Sequence, residues 1–293
     1  MKRIFYYTIP LKFNNTPLLD FLKAEGYSHQ VITHLKRTMN GILLNGIWAH
    51  TWDILHTNDY LTIQLVENVS SENIVPADLP LNIIYEDEDL LVINKPAGMP
   101  IHPSQGNYDN TLANALAWHY LSLGEPFTYR CINRLDKDTT GLLIVAKHMY
   151  SASLLYHMSA ERKISRTYLA IAEGEVPEEG TITAPIARAE GSTIERCVDE
   201  ERGETACTHF KRISYKDGYS LVSLKLETGR THQIRVHMKY IGHPLPGDFL
   251  YHPDYSRIHR QALHSFKLSF QHPITGEPMA FQAPIPDDMK VFL

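Results

Sequence analysis

The stretch INRLDKDTTGLLIVAK, residues 132–147, carries the strongest structural signal in the chain. In it Asp136 stands beside a cationic residue, and the turn-forming residues 138–141 follow. The apolar run GLLIVA, residues 141–146, then has the length and composition of a buried strand. This order predicts a tight turn that presents the Asp136 carboxylate at the edge of a sheet.

Alternation of apolar and polar residues with period 2 predicts further strands on both sides of this stretch. The alternating segments are LLVIN (90–94), SRTYLAIAEG (165–174), YSLVSLKLE (219–227) and ALHSFKLSF (262–270). Three helical patterns interrupt them: TLANALAWHY after Thr111, SASLLYHMSAERK after Ser151 and THQIRVHMKY after Thr231. Because helices do not alternate strictly with strands, the pattern predicts an α+β fold with a mixed, largely antiparallel sheet.

The first 70 residues predict a separate small unit of two helices and a small sheet. Thr16-Pro17 is typical of a helix start, and Ser28 is expected to cap a second helix. ILL, Asn45-Gly46 and IWA in succession predict a hairpin, with LTIQL at 61–65 as a further strand. Polar residues with two prolines follow. We therefore expect a domain at 1–70, a linker at 71–80 and a second domain at 81–293.

Composition places the chain among ordinary folded proteins. It has 293 residues, 43% of them apolar and 21% charged, which excludes a disordered or collagen-like chain. The three cysteines, Cys131, Cys197 and Cys207, form no C-x-x-C pair, which argues against a disulfide framework and a zinc ribbon. No apolar run approaches the roughly 20 residues of a membrane-spanning helix, and no signal peptide is recognisable. We expect a cytoplasmic protein that does not enter the membrane.

Charge is distributed unevenly around a net value of −5. Residues 171–204 contain ten acidic and three basic side chains, a net of −7, whereas residues 205–270 contain ten basic and four acidic side chains, a net of +6. Binding of nucleic-acid phosphates depends on such a local basic patch. An acidic surface loop that happens to precede a basic strand and helix explains the same numbers, so charge alone leaves both interpretations open.

The sequence contains none of the common phosphate-loop, dinucleotide or zinc-protease motifs, so no nucleotide cofactor and no metal are expected. Three interpretations of Asp136 remain. In the first, it caps a turn and Arg134 is a surface ion-pair partner. In the second, Asp136, Asp138 and Thr140 form the D-x-D-x-T pattern of a magnesium-dependent phosphotransferase, although the buried strand and the later acidic pair of that class are missing.

In the third interpretation, NRLDKDTTG at 133–141 resembles the signature H-R-L-D-x-x-T-[ST]-G of the RluA/RluD-type pseudouridine synthases. Further segments are similar to that family in the same order: INKPAGMPIHPSQGN (93–107), TLANAL (111–116), RTYLAIAEG (166–174) and TGRTHQIRVHMKYIGHPLPGD (228–248). The amino-terminal unit resembles the small S4-like RNA-binding domain of many RNA-modifying enzymes. The resemblance spans nearly the entire chain and implies an isomerase that converts uridine to pseudouridine in RNA.

The resemblance also implies roles for individual residues. Asp136 matches the catalytic aspartate, Tyr168 the active-site tyrosine, Arg230 the basic partner of the aspartate, and Arg134 an arginine that holds the substrate RNA open. Asn133 stands where the family has a histidine. The chemistry agrees with these types, because isomerising a nucleoside needs no redox partner or group donor, and an ionised carboxylate can attack the sugar or remove its proton. An arginine neighbour would favour the ionised carboxylate.

RNA contacts are expected from a further set of residues: His102 in the loop that the family places beside its pocket, Lys36 and Arg37 on the second helix, and His232 and Arg235 on the THQIRVHMKY helix. His237 and Lys239 share with these last two a role as phosphate contacts or as solvated helix surface. Ribosomal RNA is the expected substrate, with tRNA second, and no oligomer is required. A catalytically silent RNA-binding or ribosome-assembly factor is the alternative. Residues 1–75 carry six basic and six acidic side chains, so this unit is either an RNA clamp or a packing appendage.

Overall fold

Residues 1–66 form a four-stranded antiparallel sheet with two helices packed on one face. The computed structural model describes residues 1–293. The strands of this first unit are β1 (Lys2–Thr8), β2 (Thr16–Pro17), β3 (Ile42–Leu44), β4 (Ile47–Trp48), β5 (Ile54–Leu55) and β6 (Tyr60–Val66), and its helices are α1 (Leu18–Ala24) and α2 (His29–Arg37). The sheet has the order β1-β6-β3-β4, and β2 pairs with β5 beside it.

Local sequence explains most of these elements. The Ser28 side chain caps α2 by accepting a hydrogen bond from the amide of Val31, as predicted. Asn45 and Gly46 both have positive φ angles (51° and 81°), which the tight turn between β3 and β4 requires. The predicted Thr16 cap is wrong, because the Thr16 hydroxyl donates to the carbonyl of Phe13 and α1 begins only at Leu18.

The second unit is built on one nine-stranded sheet in the order β11-β14-β15-β10-β16-β9-β8-β7, with β17 also paired to β16. These strands, and a separate hairpin of β12 and β13, are β7 (Ile83–Glu86), β8 (Leu90–Lys95), β9 (Thr140–Ala146), β10 (Ser165–Glu173), β11 (Glu179–Thr183), β12 (Ile186–Arg188), β13 (Arg196–Val198), β14 (Cys207–Lys216), β15 (Tyr219–Leu226), β16 (Leu263–Gln271) and β17 (Pro278–Gln282). Only β9 and β16 pair in parallel. The predicted mixed, largely antiparallel α+β architecture is confirmed.

Four helices complete the second unit: α3 (Leu112–Ser122), α4 (Met149–Ala160), α5 (Gln233–Tyr240) and α6 (Asp287–Lys290). Thr111 and Asn114 form a capping box at the start of α3. The other two predicted caps are displaced, because His148 rather than Ser151 caps α4, and α5 follows His232 rather than Thr231. No helix of the molecule combines the length and apolar character needed to cross a membrane.

The central strands are covered on both faces, which explains the continuous apolar run of β9. Alternate residues such as Leu143 and Val145 pack with α3, whereas Leu142 and Ile144 pack with α4. A strand buried on both sides has no reason to alternate polar and apolar residues. The sheet therefore provides a rigid base at the end of which the loop carrying Asp136 lies.

The two units are packed against each other through α4. The ring of Tyr150 on α4 stacks on Tyr27 with a centroid separation of 3.9 Å, and its hydroxyl donates to the carbonyl of Glu25. On the other side of the junction, Arg3 of β1 donates two hydrogen bonds to Asp89, of 2.9 and 3.0 Å. Burial of aromatic surface and a charge-assisted pair thus fix the first unit to the second.

The expected linker runs along the second unit and is hydrogen-bonded to it. Ser71 accepts a hydrogen bond from the amide of Tyr129 and donates its own amide to the carbonyl of Phe127. Farther on, the Asn114 side chain donates to the carbonyl of Val75 at 2.7 Å. The segment connects the units as an extended strap, and its backbone is held at both ends.

Candidate active site

Asp136 lies at the start of a turn whose shape follows from the residues after it. The amide of Thr139 donates to the carbonyl of Asp136 at 3.1 Å and closes the turn. Gly141 then begins β9 with φ of 108°, and a Cβ there would lie 2.2 Å from the carbonyl oxygen of Ser265. Only glycine allows this contact between β9 and β16, so the T-T-G sequence sets where the strand starts and where Asp136 is presented.

The Asp136 turn is held from below by a buried lysine that the sequence did not single out. Lys95 is 1% exposed, and its ammonium donates to three backbone carbonyls, those of Pro96, Met99 and Lys137, at 2.7–2.9 Å. The amide of Gly98 adds a hydrogen bond to the Asp138 carboxylate. Burial lowers the pKa of Lys95 to about 7, against the opposing charges of Asp138 and Asp136. Lys95 thereby joins the loop after β8 to the loop before β9.

The partner of Asp136 is Arg235 of α5. One terminal nitrogen of its guanidinium donates to Oδ2 of Asp136 at 2.9 Å. The other side of the guanidinium fork bonds both oxygens of Asp248, at 2.6 and 2.7 Å. Burial alone would lower the pKa of Arg235, but the hydrogen bonds and charges of Asp248 and Asp136 raise it, so the guanidinium stays ionised. One buried cation therefore serves two carboxylates.

Two predictions about these arginines are wrong. Arg230, expected beside Asp136, instead forms an ion pair with Glu204 and donates to the carbonyl of Thr205. Arg235, expected to touch RNA, has a side chain that is 1% exposed and is fully used by the two aspartates. Arg230 precedes α5, where the chain runs over the surface, whereas Arg235 lies on the face of the helix turned toward the sheet. Asp248, which anchors Arg235, was not found by the sequence.

The remaining polar residues of α5 are also buried and hydrogen-bonded. Gln233 accepts from the hydroxyl of Thr228 and the amide of Arg230, and donates to the carbonyl of Cys207, which fixes the loop before the helix. His237 bonds the hydroxyl of Thr208 and is 0% exposed, so it is neither a phosphate contact nor solvated surface. Satisfied polar groups thus replace the expected surface role of this motif.

His232 is a second neighbour of Asp136. Its Nε2 lies 3.9 Å from Oδ2 of the aspartate, and its Nδ1 lies 3.0 Å from the hydroxyl of Tyr251. That hydroxyl accepts a hydrogen bond from the amide of Arg196, so its proton is free to be donated to Nδ1. The Nε2 hydrogen then faces Asp136. Burial lowers the pKa of His232 although the charge of Asp136 opposes this, which favours the neutral ring.

Tyr168 lies in β10 where the pairing with β16 shifts register between Thr167 and Tyr168. Such an irregularity re-aims a side chain, and Tyr168 lines the same cavity as Asp136. The residue is 5% exposed, and its hydroxyl is hydrogen-bonded to Ser265. Burial raises the pKa of Tyr168, so the side chain is a neutral phenol near neutral pH.

Asp136 and Tyr168 face a cavity of about 860 Å³. This volume lies within the range of roughly 300–1,000 Å³ that is typical of small-molecule sites. Five basic side chains line it, and we call them the basic rim: Arg134, Arg162, Arg166, Lys225 and Arg230. A cavity with a carboxylate at its base and cations around its mouth is suited to a nucleotide within a polyanionic chain.

The other predicted contacts are distributed between this cavity and the surface. Arg134 and His102 both line the cavity, and the His102 ring packs edge-on against Tyr129. Asn133 is buried, and its side-chain oxygen accepts a hydrogen bond from the amide of Ile144 in β9. This bond ties the residue before Arg134 to the sheet and leaves the Arg134 side chain exposed at the cavity.

Lys36 and Arg37 do not belong to the cavity. Both are exposed in the last turn of α2, in the first unit. They share that turn with His34, whose ring is bonded to the carbonyl of Val66. Any RNA that touches Lys36 and Asp136 together must therefore extend beyond the cavity.

Two side-chain groups have the composition of a metal site: Cys207, His209 and Glu227, and Asp87, Asp89 and His272. In each group a carboxylate already pairs with an arginine, Glu227 with Arg162 and Asp89 with Arg3. Neither group includes Asp136.

Comparison with known proteins gives a consistent result. Residues 89–240 match the family described as RNA pseudouridylate synthase. An uncharacterized RNA pseudouridine synthase of Bacillus subtilis, YjbO, is 42% identical over 266 residues, covering 90% of this chain and 94% of that protein. The ribosomal large subunit pseudouridine synthase D of Zymomonas mobilis is 44% identical, covering 74% of this chain and 73% of its own. The solved structure of human RNA pseudouridylate synthase domain containing 1 has a TM-score of 0.59 at 30% identity, covering 71% of this chain and 84% of that chain.

Proposed function

This chain belongs to the RNA pseudouridine synthase family, and we propose that it converts uridines of large-subunit ribosomal RNA to pseudouridine with Asp136 as the reacting carboxylate. Membership makes the protein an isomerase with an RNA substrate. The relatives named ribosomal large subunit pseudouridine synthase D support the choice of RNA. The observation that carries the proposal is the Asp136 carboxylate, fixed by Arg235 at the base of a cavity with a basic rim.

The hydrogen bonding of Asp136 indicates which of its oxygens reacts. Arg235 and His232 both approach Oδ2, and no side chain bonds Oδ1. We assign Oδ1 to the sugar of the bound uridine. It can attack C1′, so that the bond to the uracil nitrogen breaks, or it can remove the proton from C2′, and both routes use the same atom. Uracil then turns and rejoins C1′ through a ring carbon, which loses its proton.

Arg235 would act by holding the carboxylate ionised and correctly oriented. A guanidinium that is shared with Asp248 cannot follow Asp136 when that side chain moves, so the reacting oxygen keeps its position. The same pairing disfavours a magnesium-dependent phosphotransferase, since a cation already occupies the Oδ2 side of Asp136.

Tyr168 would contact the uracil. Its raised pKa favours a neutral ring that stacks on the base and a hydroxyl that donates a hydrogen bond, rather than a phenolate that removes a proton. The target nucleotide must leave its stack, at a cost of a few kcal/mol. The exposed guanidinium of Arg134, beside the cavity, is placed to fill the space that the nucleotide leaves.

The test is conversion of unmodified large-subunit ribosomal RNA by wild-type protein and by Asp136→Asn. We expect wild-type protein to form pseudouridine, and the variant to bind the RNA equally well without converting it. Asp138→Asn is the matched control, because Asp138 bonds only the amide of Gly98 in the same loop. Conversion by Asp136→Asn at the wild-type rate would exclude the role of Asp136.

The substrate is identified by mapping pseudouridines in total RNA from cells with and without this gene. A lost site in large-subunit RNA supports the proposal, and a lost site in tRNA would reassign the substrate. If wild-type protein binds RNA but no site is lost and no RNA is converted, the silent RNA-binding factor is the better description.

We further propose that residues 1–70 bind RNA beside the cavity through Lys36 and Arg37. Both side chains are exposed and neither is in an ion pair. Replacing both by alanine should weaken RNA binding and reduce its salt dependence by about 0.7–0.9 per lost phosphate contact. Lys23→Ala on α1, exposed in the same unit, is the control and should have no such effect.

A further inference from the structure

Two of the five cations of the basic rim are paired with carboxylates. Arg162 is bonded to Glu227 at 3.0 Å, and Arg230 is paired with Glu204. The other three members, Arg134, Arg166 and Lys225, are in no ion pair. The cavity through which RNA is expected to enter therefore has two of its positive charges neutralised by the protein itself.

The two acidic partners are presented from fixed backbone. Glu204 exchanges two 3.0 Å backbone hydrogen bonds with Ile186 of β12, so the acidic segment 171–204 delivers its last carboxylate to the rim. Glu227 follows β15 and is also bonded by the ring of His209 at 2.7 Å. Their side chains are nevertheless accessible, with exposures of 69% for Glu204 and 40% for Glu227.

We propose that Glu204 and Glu227 occupy the places of two backbone phosphates, and that bound RNA displaces them from Arg230 and Arg162. A carboxylate and a phosphate present similar pairs of oxygens to a guanidinium fork. Exposed ion pairs change an equilibrium constant by at most about fivefold, so a phosphate that arrives with the rest of the RNA can replace the carboxylate. The inference rests on the proposed function only in taking RNA as the ligand of this cavity.

The consequence is selectivity among RNA molecules. RNA that brings phosphates to both arginines recovers the two masked charges, whereas RNA that fits poorly meets a rim with three free cations and two acidic groups. The negative charge of segment 171–204 also reduces long-range attraction of any polyanion. The two glutamates thus lower non-specific binding more than binding of the substrate, and Arg230 acquires a role that its distance from Asp136 does not exclude.

The experiment measures the dissociation constants of Glu204→Gln, Glu227→Gln and the double variant. The probes are an unstructured oligouridine and the ribosomal RNA fragment that wild-type protein converts. We expect each substitution to tighten oligouridine binding about two- to fivefold and to tighten fragment binding less. The salt dependence for oligouridine should steepen by about 0.7 for each arginine released. Asp287→Asn is the matched control, because it removes the same charge from the remote exposed pair with Lys290 and should change neither quantity.

A double-mutant cycle separates masking from simple repulsion. If Glu204 masks Arg230, Glu204→Gln should strengthen binding less in an Arg230→Ala background than in wild-type protein. An equal or larger gain in that background, an unchanged affinity of both glutamine variants, or weaker binding would overturn the inference. These outcomes leave the proposed function standing when wild-type protein still converts its RNA. Loss of conversion by wild-type protein would refute the function instead, and the binding data would still judge the masking.

Discussion

Replacing Arg235 by lysine tests the central feature of the site, one guanidinium shared by two carboxylates. The ammonium of lysine carries the same charge but cannot form the fork to Asp248 and also reach Oδ2 of Asp136. Each charge-assisted hydrogen bond lost is worth about 1.5–3 kcal/mol. If the bond to Asp136 supports the transition state, kcat should fall by about 10- to 150-fold.

The assay is tritium release from RNA labelled at C5 of uridine, because that hydrogen leaves the ring when the new carbon bond forms. Thermal unfolding of the same variant should show a loss of about 2–4 kcal/mol, since Asp248 keeps a poorer partner in a buried position. Arg230→Lys is the matched control and should act on KM by a few-fold, because Arg230 touches only Glu204 and Thr205. A larger loss of kcat in Arg230→Lys than in Arg235→Lys would refute the assignment.

Three further outcomes follow from the packing. Gly141→Ala should lower the free energy of unfolding by more than about 3 kcal/mol, because its Cβ would lie 2.2 Å from the Ser265 carbonyl, whereas Gly124→Ala, with open space around it, should lose only about 1–2 kcal/mol; denaturant titration measures both. Burial lowers the pKa of His264 from 6.5 to about 4, so the unfolded chain binds more protons there between these pH values, and stability should fall as the pH drops from 6.5 to 4, by a few kcal/mol; His264→Gln should flatten this part of the pH profile, and an unchanged profile would contradict it. Arg3→Ala removes two hydrogen bonds from buried Asp89 and should accelerate amide exchange in β1 before the large sheet, a result that equal exchange in both sheets would exclude.

The sequence located the reacting carboxylate because the relevant signal is local. A carboxylate, four turn-forming residues and an apolar run within eleven residues predict a turn before a strand, and the structure has that turn at Asp136. The sheet class was predictable for the same reason, since alternation within single strands is a local pattern.

The assignment of the arginine failed because its partners are distant in the chain. Arg235 lies 99 residues from Asp136 and 13 from Asp248, and no periodicity connects such positions. Polar residues on a short helix also predict a solvated surface, whereas Gln233 and His237 are buried with their hydrogen bonds formed inside the protein. A polar helix can be a core helix when every donor finds an acceptor, and that condition is visible only in three dimensions.

The bonded strap between the two units has a consequence for the shape of the substrate. With Ser71 and Val75 attached to the large sheet and Tyr27 stacked on Tyr150, the path from α2 to the cavity has one length. An RNA that uses both surfaces must present its target uridine at a matching interval from a second stem or bend. Lengthening that stem by one base pair would shift the two contacts out of register, so the protein selects a nucleotide by its place in a folded RNA as well as by its base.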